Sequence, residues 1–287
     1  MSSVAVVSDT THYIPAGHAE AIDLRQVSLY VHWQGRDDRE SDLPDFNAYY
    51  DHLRSAPDLP TTSQPSVGDF LACYEKLLDA GHDIVSIHLS AGVSGTYDSA
   101  LAAKAQLDEQ GRGDCIEVMD SATACGGLGL MVLAASAQAR AGGDVEAVVR
   151  RARGAREQLK MWFCVDTLEF LRRGGRIGAA GAWLGTTLRI KPILALEAEI
   201  TPVERVRTSK RAFERMVDYL RSCHDDGADA WVVQHIQARD AAERLVERGR
   251  EIFGSEPTFV SEIGPVIGTH AGPGLIGVGG VPAEFLR

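Results

Sequence analysis

Ile84-Val85-Ser86-Ile87-His88-Leu89-Ser90-Ala91-Gly92-Val93-Ser94-Gly95-Thr96-Tyr97-Asp98-Ser99-Ala100 joins a β-branched apolar run to a small-residue loop and then to an alanine-rich segment. The order reads as strand, loop and helix N-terminus. Where a parallel strand feeds a helix through Gly and Ser, the unpaired N–H groups of the first turn and the positive end of the helix dipole converge on one point, which suits an anion. Ser90, Ser94 and Thr96 add hydroxyl donors there. A capped helix without a ligand uses the same residue types, so the loop's meaning depends on what else the chain brings to it.

Working outward, 67–80 reads as a helix capped by Ser66, and Pro60-Thr61-Thr62-Ser63-Gln64-Pro65 before it as a rigid turn presenting hydroxyls. Short apolar runs at 4–8, 27–33 and 115–119 read as further strands. The first empties into Ser8-Asp9-Thr10-Thr11, as buried parallel strands do at their carboxyl ends. A helix is expected over 41–54, with acidic residues in its first turn. Residues 126–135 read as a buried helix whose glycines let a neighbour approach; they lack the spacing of a dinucleotide fingerprint. The alternation predicts one α/β sheet domain for this half.

After Asp144 the chain turns basic, with Arg150, Arg151, Arg153, Arg156 and Lys160, a pattern that usually marks a solvated helix face. Arg172, Arg173 and Arg176 differ because they flank Gly174-Gly175, where a sharp turn can present the guanidinium groups together. Strands are expected at 161–165, 231–236 and 257–263, a hairpin over 196–207 led into by Lys191-Pro192-Ile193-Leu194, and helices at 209–221 and 240–252. His270 falls in the glycine-dense stretch 268–279, read as a loop.

The fold class expected is α/β with two domains, an N-terminal α/β sheet domain (1–157) and a C-terminal α+β domain (158–287). At 287 residues and 45% hydrophobic content the chain can build two cores. A formal charge of −11 disfavours nucleic acid and anionic membrane surfaces, so a small organic or protein partner is expected. Five cysteines, at 73, 115, 125, 164 and 223, contain no C-x-x-C and indicate neither a disulfide framework nor a thiolate metal site. The N-terminus has no signal-peptide pattern, and the longest uncharged run, 121–139, is too diluted with polar and small residues for a membrane span. A cytoplasmic location is expected, with no metal or cofactor. Gly92-Val93-Ser94-Gly95 is one residue short of the G-x-S-x-G nucleophile elbow.

Taken together, these segments resemble the DegV family, bacterial fatty-acid-binding proteins that serve as acyl carriers for a fatty acid kinase. The resemblance spans nearly the whole chain. It is carried by Ser8-Asp9-Thr10-Thr11, Thr62-Ser63-Gln64-Pro65-Ser66, the 89–97 loop, Asp120-Ser121, Asp166-Thr167-Leu168 through Arg173-Gly174-Gly175-Arg176-Ile177 to Lys191-Pro192-Ile193, Val206-Arg207-Thr208 and His270-Ala271-Gly272-Pro273-Gly274. It implies a long-chain fatty acid held between the two domains. Its carboxylate would sit on Thr62, Ser94, the Gly95 amide and His270, with Ser63, Ser90 and Thr96 supporting the loop. The acyl tunnel is expected against the small-residue segments 126–135 and 177–188, at Gly129, Leu130, Ala180 and Leu184. Arg172, Arg173 and Arg176 would dock the kinase subunit. One departure stands out: the turn after the Lys191-Pro192 strand, usually glycine-bearing, reads Glu197-Ala198-Glu199. The rival reading is an acyl-transfer enzyme with Ser94 as nucleophile and His270 as base. A phosphotransfer protein is a third.

Overall fold

The structure, a computed structural model, describes residues 3–55, 59–184 and 190–287. In chain order its strands are β1 (Val4–Asp9), β2 (Arg25–Val27), β3 (Tyr30–Trp33), β4 (Arg36–Arg39), β5 (Thr61–Ser63), β6 (Asp83–His88), β7 (Ile116–Asp120), β8 (Lys160–Cys164), β9 (Lys191–Glu197), β10 (Glu199–Val206), β11 (Ala230–His235), β12 (Phe259–Glu262) and β13 (Ile276–Val281). The helices are α1 (Ala16–Ala21), α2 (Asn47–Ser55), α3 (Val67–Asp79), α4 (Thr96–Glu109), α5 (Cys125–Arg140), α6 (Val145–Gln158), α7 (Glu169–Arg173), α8 (Ser209–Asp225), α9 (Arg239–Phe253) and α10 (Pro265–Ala271).

The mixed α/β class expected from the sequence is the one observed. The first sheet, ordered β2-β1-β6-β7, is parallel throughout. Side chains alternate across it: Val7, Ile84 and Val118 pack with Phe70, Tyr74 and Leu107 of α3 and α4, while Val6, Val85 and Met119 face the core that includes α5. The second sheet, ordered β10-β9-β8-β13-β11-β12, is antiparallel except for the β11–β12 pair. Its one face buries Trp231, Val233 and Val278 under Met216, Leu220 and Leu245 of α8 and α9.

Helix α5 touches both sheets. Its glycines explain how: a Cβ on Gly126 would meet the side chains of Val232, Gln234 and Met161, and one on Gly129 would meet Phe259, Ile14 and the His12 carbonyl. A third sheet, β4-β3-β5, carries Thr62 and rests on α10, while α2 braces the same helix. Tyr50 donates to the Ile263 carbonyl at 2.6 Å, and the Tyr49 and Thr269 hydroxyls are 2.5 Å apart.

Several local expectations change. The run 27–33 is two strands of different sheets, because Ser28 turns the chain, donating to the Leu29 carbonyl and accepting from Ser41 N. The helix expected over 41–54 starts only at Asn47, after a 3-10 turn at Glu40–Asp42; Pro44 keeps the residue before it out of the helical region, and Asp45 accepts from Asn47 N. Of the glycine-dense stretch 268–279 only 272–275 is a turn; the rest is the end of α10, which carries His270, and the start of the interior strand β13. Glycine there serves close backbone packing, since a Cβ on Gly279 would strike the Lys160 carbonyl and the Met161 backbone. Nor are the basic residues 150–160 simply solvated: Arg151 bonds the carbonyls of Glu284, Phe285 and Arg287, and Arg156 those of Ser121 and Ala122. Among the described residues no helix is long and apolar enough to cross a membrane.

Candidate functional site

The loop between β6 and α4 is held from three sides. Asp9, at the end of β1, accepts from Leu89 N at 2.9 Å and bonds His88 Nδ1 at 3.1 Å. Burial works to raise this carboxyl, but His88, with Thr11 and Leu89, outweighs it and holds it below its ordinary value. Asp120, at the end of β7, accepts from Ala91 N at 3.2 Å. Ser90 donates to the Ala198 carbonyl at 2.5 Å, and its own N–H reaches the Thr123 carbonyl at 2.8 Å. The β9–β10 hairpin therefore closes on this loop despite lacking glycine: Ala198 adopts φ 65°, and only a residue without Cβ fits at Gly92, where that atom would strike the Ala198 carbonyl.

At the start of α4, Gly95 is the N-cap and offers no side-chain cap. Ser94 Oγ supplies one acceptor, taking Thr96 N at 3.3 Å, and lies 2.9 Å from Thr96 Oγ1. Gln64 lies across Gly95, close enough that a Cβ there would sit 2.9 Å from its amide.

The His270 ring reaches this point from the last turn of α10, where its Nε2 lies 2.8 Å from Thr62 Oγ1 on β5. Its Nδ1 is buried without a partner and packs on Gly174. Burial, with the Arg176 charge adding to it, pushes this imidazole down to about 4, so it is neutral near pH 7. A buried lone pair is better tolerated without a partner than a buried N–H, which assigns the proton to Nε2. Nε2–H then donates to Thr62 Oγ1, and the Thr62 hydroxyl hydrogen is left to point elsewhere.

Thr62, Ser94, His270 and Arg176 line one cavity, which otherwise is walled mainly by apolar side chains such as Leu89, Met161, Phe163, Leu196, Ile200 and Leu275. Arg176 is exposed and donates to the carbonyls of Val93 (3.3 Å) and Gly174 (2.7 Å). Arg176 thus marks where the cavity meets solvent, while Thr123 and Gln234, also in its lining, are buried. Ser63 also lines it, its Oγ 2.9 Å from His32 Nε2. Ser90 and Thr96 are buried behind the loop and are not in the lining.

The small-residue segments expected to form the tunnel are elsewhere. Gly129, Leu130, Ala180 and Leu184 are not in the cavity wall: Gly129 is packed against Phe259 and Ile14, Leu130 and Ala180 are fully buried, and Leu184 is exposed. Small residues in these two segments mark close contact between layers. Residues 185–188 of the second segment lie outside the described residues. Among the three arginines, Arg172 makes two bonds to Glu169, at 3.0 and 2.6 Å; Arg173 is exposed and lies near enough to act on Glu169 electrostatically; Arg176 belongs to the cavity. Gln64 and Arg176 were missed as cavity residues, although both stand inside motifs picked out in the sequence.

The bonds made by Ser94 and His270 go to Thr96 and Thr62, so the pair does not form the nucleophile–base contact that acyl transfer requires. Asp9, His88 and Ser86 are linked in a row, but all three are fully buried and none lines the cavity.

The profile of the DegV family, described as a family of uncharacterised proteins, matches residues 3–283. A DegV domain-containing protein of Clostridium perfringens is 36% identical over 96% of this chain and 98% of its own length. Among solved structures, DegV of Bacillus subtilis, described as a fatty acid binding protein, superposes with a TM-score of 0.87 at 33% identity, covering 97% of this chain and 99% of that one. A DegV family protein of Thermus thermophilus, described by its fatty acid binding, gives a TM-score of 0.86 at 32% identity, covering 98% and 99%.

Proposed function

The chain belongs to the DegV family, and from that premise we propose that it binds a long-chain fatty acid in the cavity and presents the carboxylate to a partner kinase. The observation that carries this reading is the cavity itself: mainly apolar walls with Thr62, Ser94, His270 and Arg176 gathered at one end. A carboxylate withdrawn from water is costly unless its oxygens accept hydrogen bonds. Thr62 donates its hydroxyl hydrogen because His270 Nε2–H fills its acceptor side; the Ser94 hydroxyl supplies a further donor, and the Gly95 N–H at the start of α4, outside the lining and behind Gln64, joins them once Gln64 moves aside. The acyl chain runs past Phe163, Leu196 and Ile200. The division into domains 1–157 and 158–287 belongs to the same proposal, with the ligand between them.

Phosphoryl transfer to a carboxylate needs a nucleotide, and the sequence has no P-loop. The donor therefore arrives on another protein, a kinase subunit that docks at Arg173 while the carboxylate end of the cavity faces it. The test is titration of the purified chain with a long-chain fatty acid, then incubation with the cognate kinase and ATP. Saturable binding at one site per chain and kinase-dependent acyl phosphate are expected; a chain that binds no fatty acid, or forms acyl phosphate without the kinase, contradicts the proposal.

A further inference from the structure

Glu40, in the 3-10 turn after β4, is buried behind the cavity wall and is not part of its lining. Its Oε1 accepts from Val266 N at 2.8 Å and from the Tyr13 hydroxyl at 3.0 Å, while Oε2 is buried with no hydrogen-bond partner among the described residues. Packing around it is tight: a Cβ on Gly264 would meet Glu40 Oε1, the Tyr13 ring and Phe46. Val266 belongs to the first turn of α10, which supplies Val266, Ile267, His270 and Ala271 to the cavity wall. One short helix therefore has a buried carboxyl at its start and the His270–Thr62 pair at its end.

A carboxylate buried without a cation is costly, and such a group tends to keep its proton. The groups that act on Glu40 from the elements around it are Asp9 at the end of β1, Thr10 and Tyr13 just after it, Tyr49 and Tyr50 of α2, and Cys125 of α5. None of these is a cation, and His270, on α10 itself, is neutral near pH 7. Burial, opposed by Val266, Thr10 and Tyr13 and reinforced by Asp9, brings the Glu40 carboxyl up to about 7.

An α-helix rises about 1.5 Å per residue, so Val266 and His270 stand about 6 Å apart along α10. A carboxylate received at Thr62 and His270 enters on the order of 10–15 Å from Glu40, across protein rather than water. Two anions at that range, at an effective dielectric of about 20, repel enough to change affinity about 5- to 10-fold. A proton on Glu40 removes that repulsion.

We propose that Glu40 takes up a proton when a fatty-acid carboxylate binds at the other end of α10, so that the affinity of the site falls as Glu40 ionises. The inference rests on the fatty-acid reading of the cavity and adds its regulation by pH. By linkage the effect is reciprocal: the bound anion raises the proton affinity of Glu40 as much as ionised Glu40 weakens the anion.

Isothermal titration of myristate into the purified chain, in buffers of different ionisation enthalpy from about pH 6 to about pH 9, counts the protons and reads the affinity. Wild type should take up about half a proton per myristate near pH 7.5, with affinity falling about fivefold or more across that range. Glu40→Gln, which keeps an acceptor for Val266 N, should lose both effects, whereas His270→Gln should bind more weakly and keep the uptake. Tyr13→Phe, which removes a bond that holds the Glu40 carboxyl down, should move the uptake to higher pH. Myristate binding without proton uptake in wild type, or uptake that survives in Glu40→Gln or is lost in His270→Gln, overturns this inference alone. Failure to bind myristate at any pH overturns the fatty-acid reading with it. Should Glu40→Gln not fold, the wild-type proton count with His270→Gln and Tyr13→Phe still decides.

Discussion

Thr62 Oγ1 and His270 Nε2 are 2.8 Å apart although 208 residues separate them in the chain. The pair joins a short strand of the N-terminal half to the last turn of a helix near the C-terminus. With the proton on Nε2, the neutral imidazole donates to Thr62 and leaves the threonine hydroxyl hydrogen to another acceptor.

Substitutions at this end should therefore act on ligand affinity. Ser94→Ala or His270→Ala is expected to weaken fatty-acid binding by about 1.5–3 kcal/mol, the worth of a hydrogen bond to a charged group. Isothermal titration against wild type measures it, and unchanged affinity in both variants removes the assignment of the carboxylate.

The pH dependence of stability has a sign that can be stated. His270 is at about 4 in the fold against an ordinary 6.5, mainly through burial, and His12 is shifted likewise. Below 6.5 the unfolded chain takes up these protons first, so their contribution is full above 6.5 and is lost as pH falls toward 4. Glu40 is raised by burial from 4.5 to about 7 and acts oppositely, its contribution lost as pH rises through 7. Thermal melts of His270→Gln should lose less Tm than wild type between pH 6.5 and 4.5; parallel curves contradict this.

How much of this was legible in the sequence depends on the kind of signal. The Ser94 loop was readable because strand, Gly/Ser loop and helix are contiguous, and Ser66 capped α3 as its spacing implied. The Thr62–His270 bond was not, since no local pattern pairs β5 with α10. The resemblance brought the two residues together, and packing of the third sheet on α10 supplies the physical cause. The cavity wall is not legible in the sequence for a similar reason. A glycine in sequence shows only that something comes close, and for Gly129 that something is Phe259 and Ile14. Likewise 268–279 looked like a loop because glycine propensity is local, whereas Gly279 and Gly280 are held in β13 by pairing on both sides.

Two glycine substitutions separate the wall from the packing. Gly277 lines the cavity and a Cβ there would meet only ordinary contacts, the nearest at 3.6 Å, so Gly277→Leu should fold and shorten the longest acyl chain accepted. Gly129→Leu should instead lower stability by about 1–3 kcal/mol through overpacking, leaving the chain-length profile of the folded fraction unchanged. Binding across a chain-length series, beside denaturant unfolding, checks both; the reverse pattern returns the tunnel to α5.

Arg173→Ala is expected to leave fatty-acid affinity nearly intact and to reduce acyl phosphate formation with the cognate kinase, more so at low salt, where charge complementarity is least screened. Arg172→Ala, which removes the guanidinium bonded to Glu169, is the variant to compare with it. Kinase assays over a range of ionic strength measure both, and a wild-type rate for Arg173→Ala refutes docking through that residue.

Mass spectrometry of the purified chain tests the central claim most directly. Native spectra should show the protein carrying one fatty acid, and denatured spectra an unmodified chain with the free acid released. No lipid under native conditions in protein able to take up added fatty acid would leave the claim standing on titration. A chain that neither retains nor takes up a fatty acid, or one heavier by an acyl group on Ser94, contradicts it.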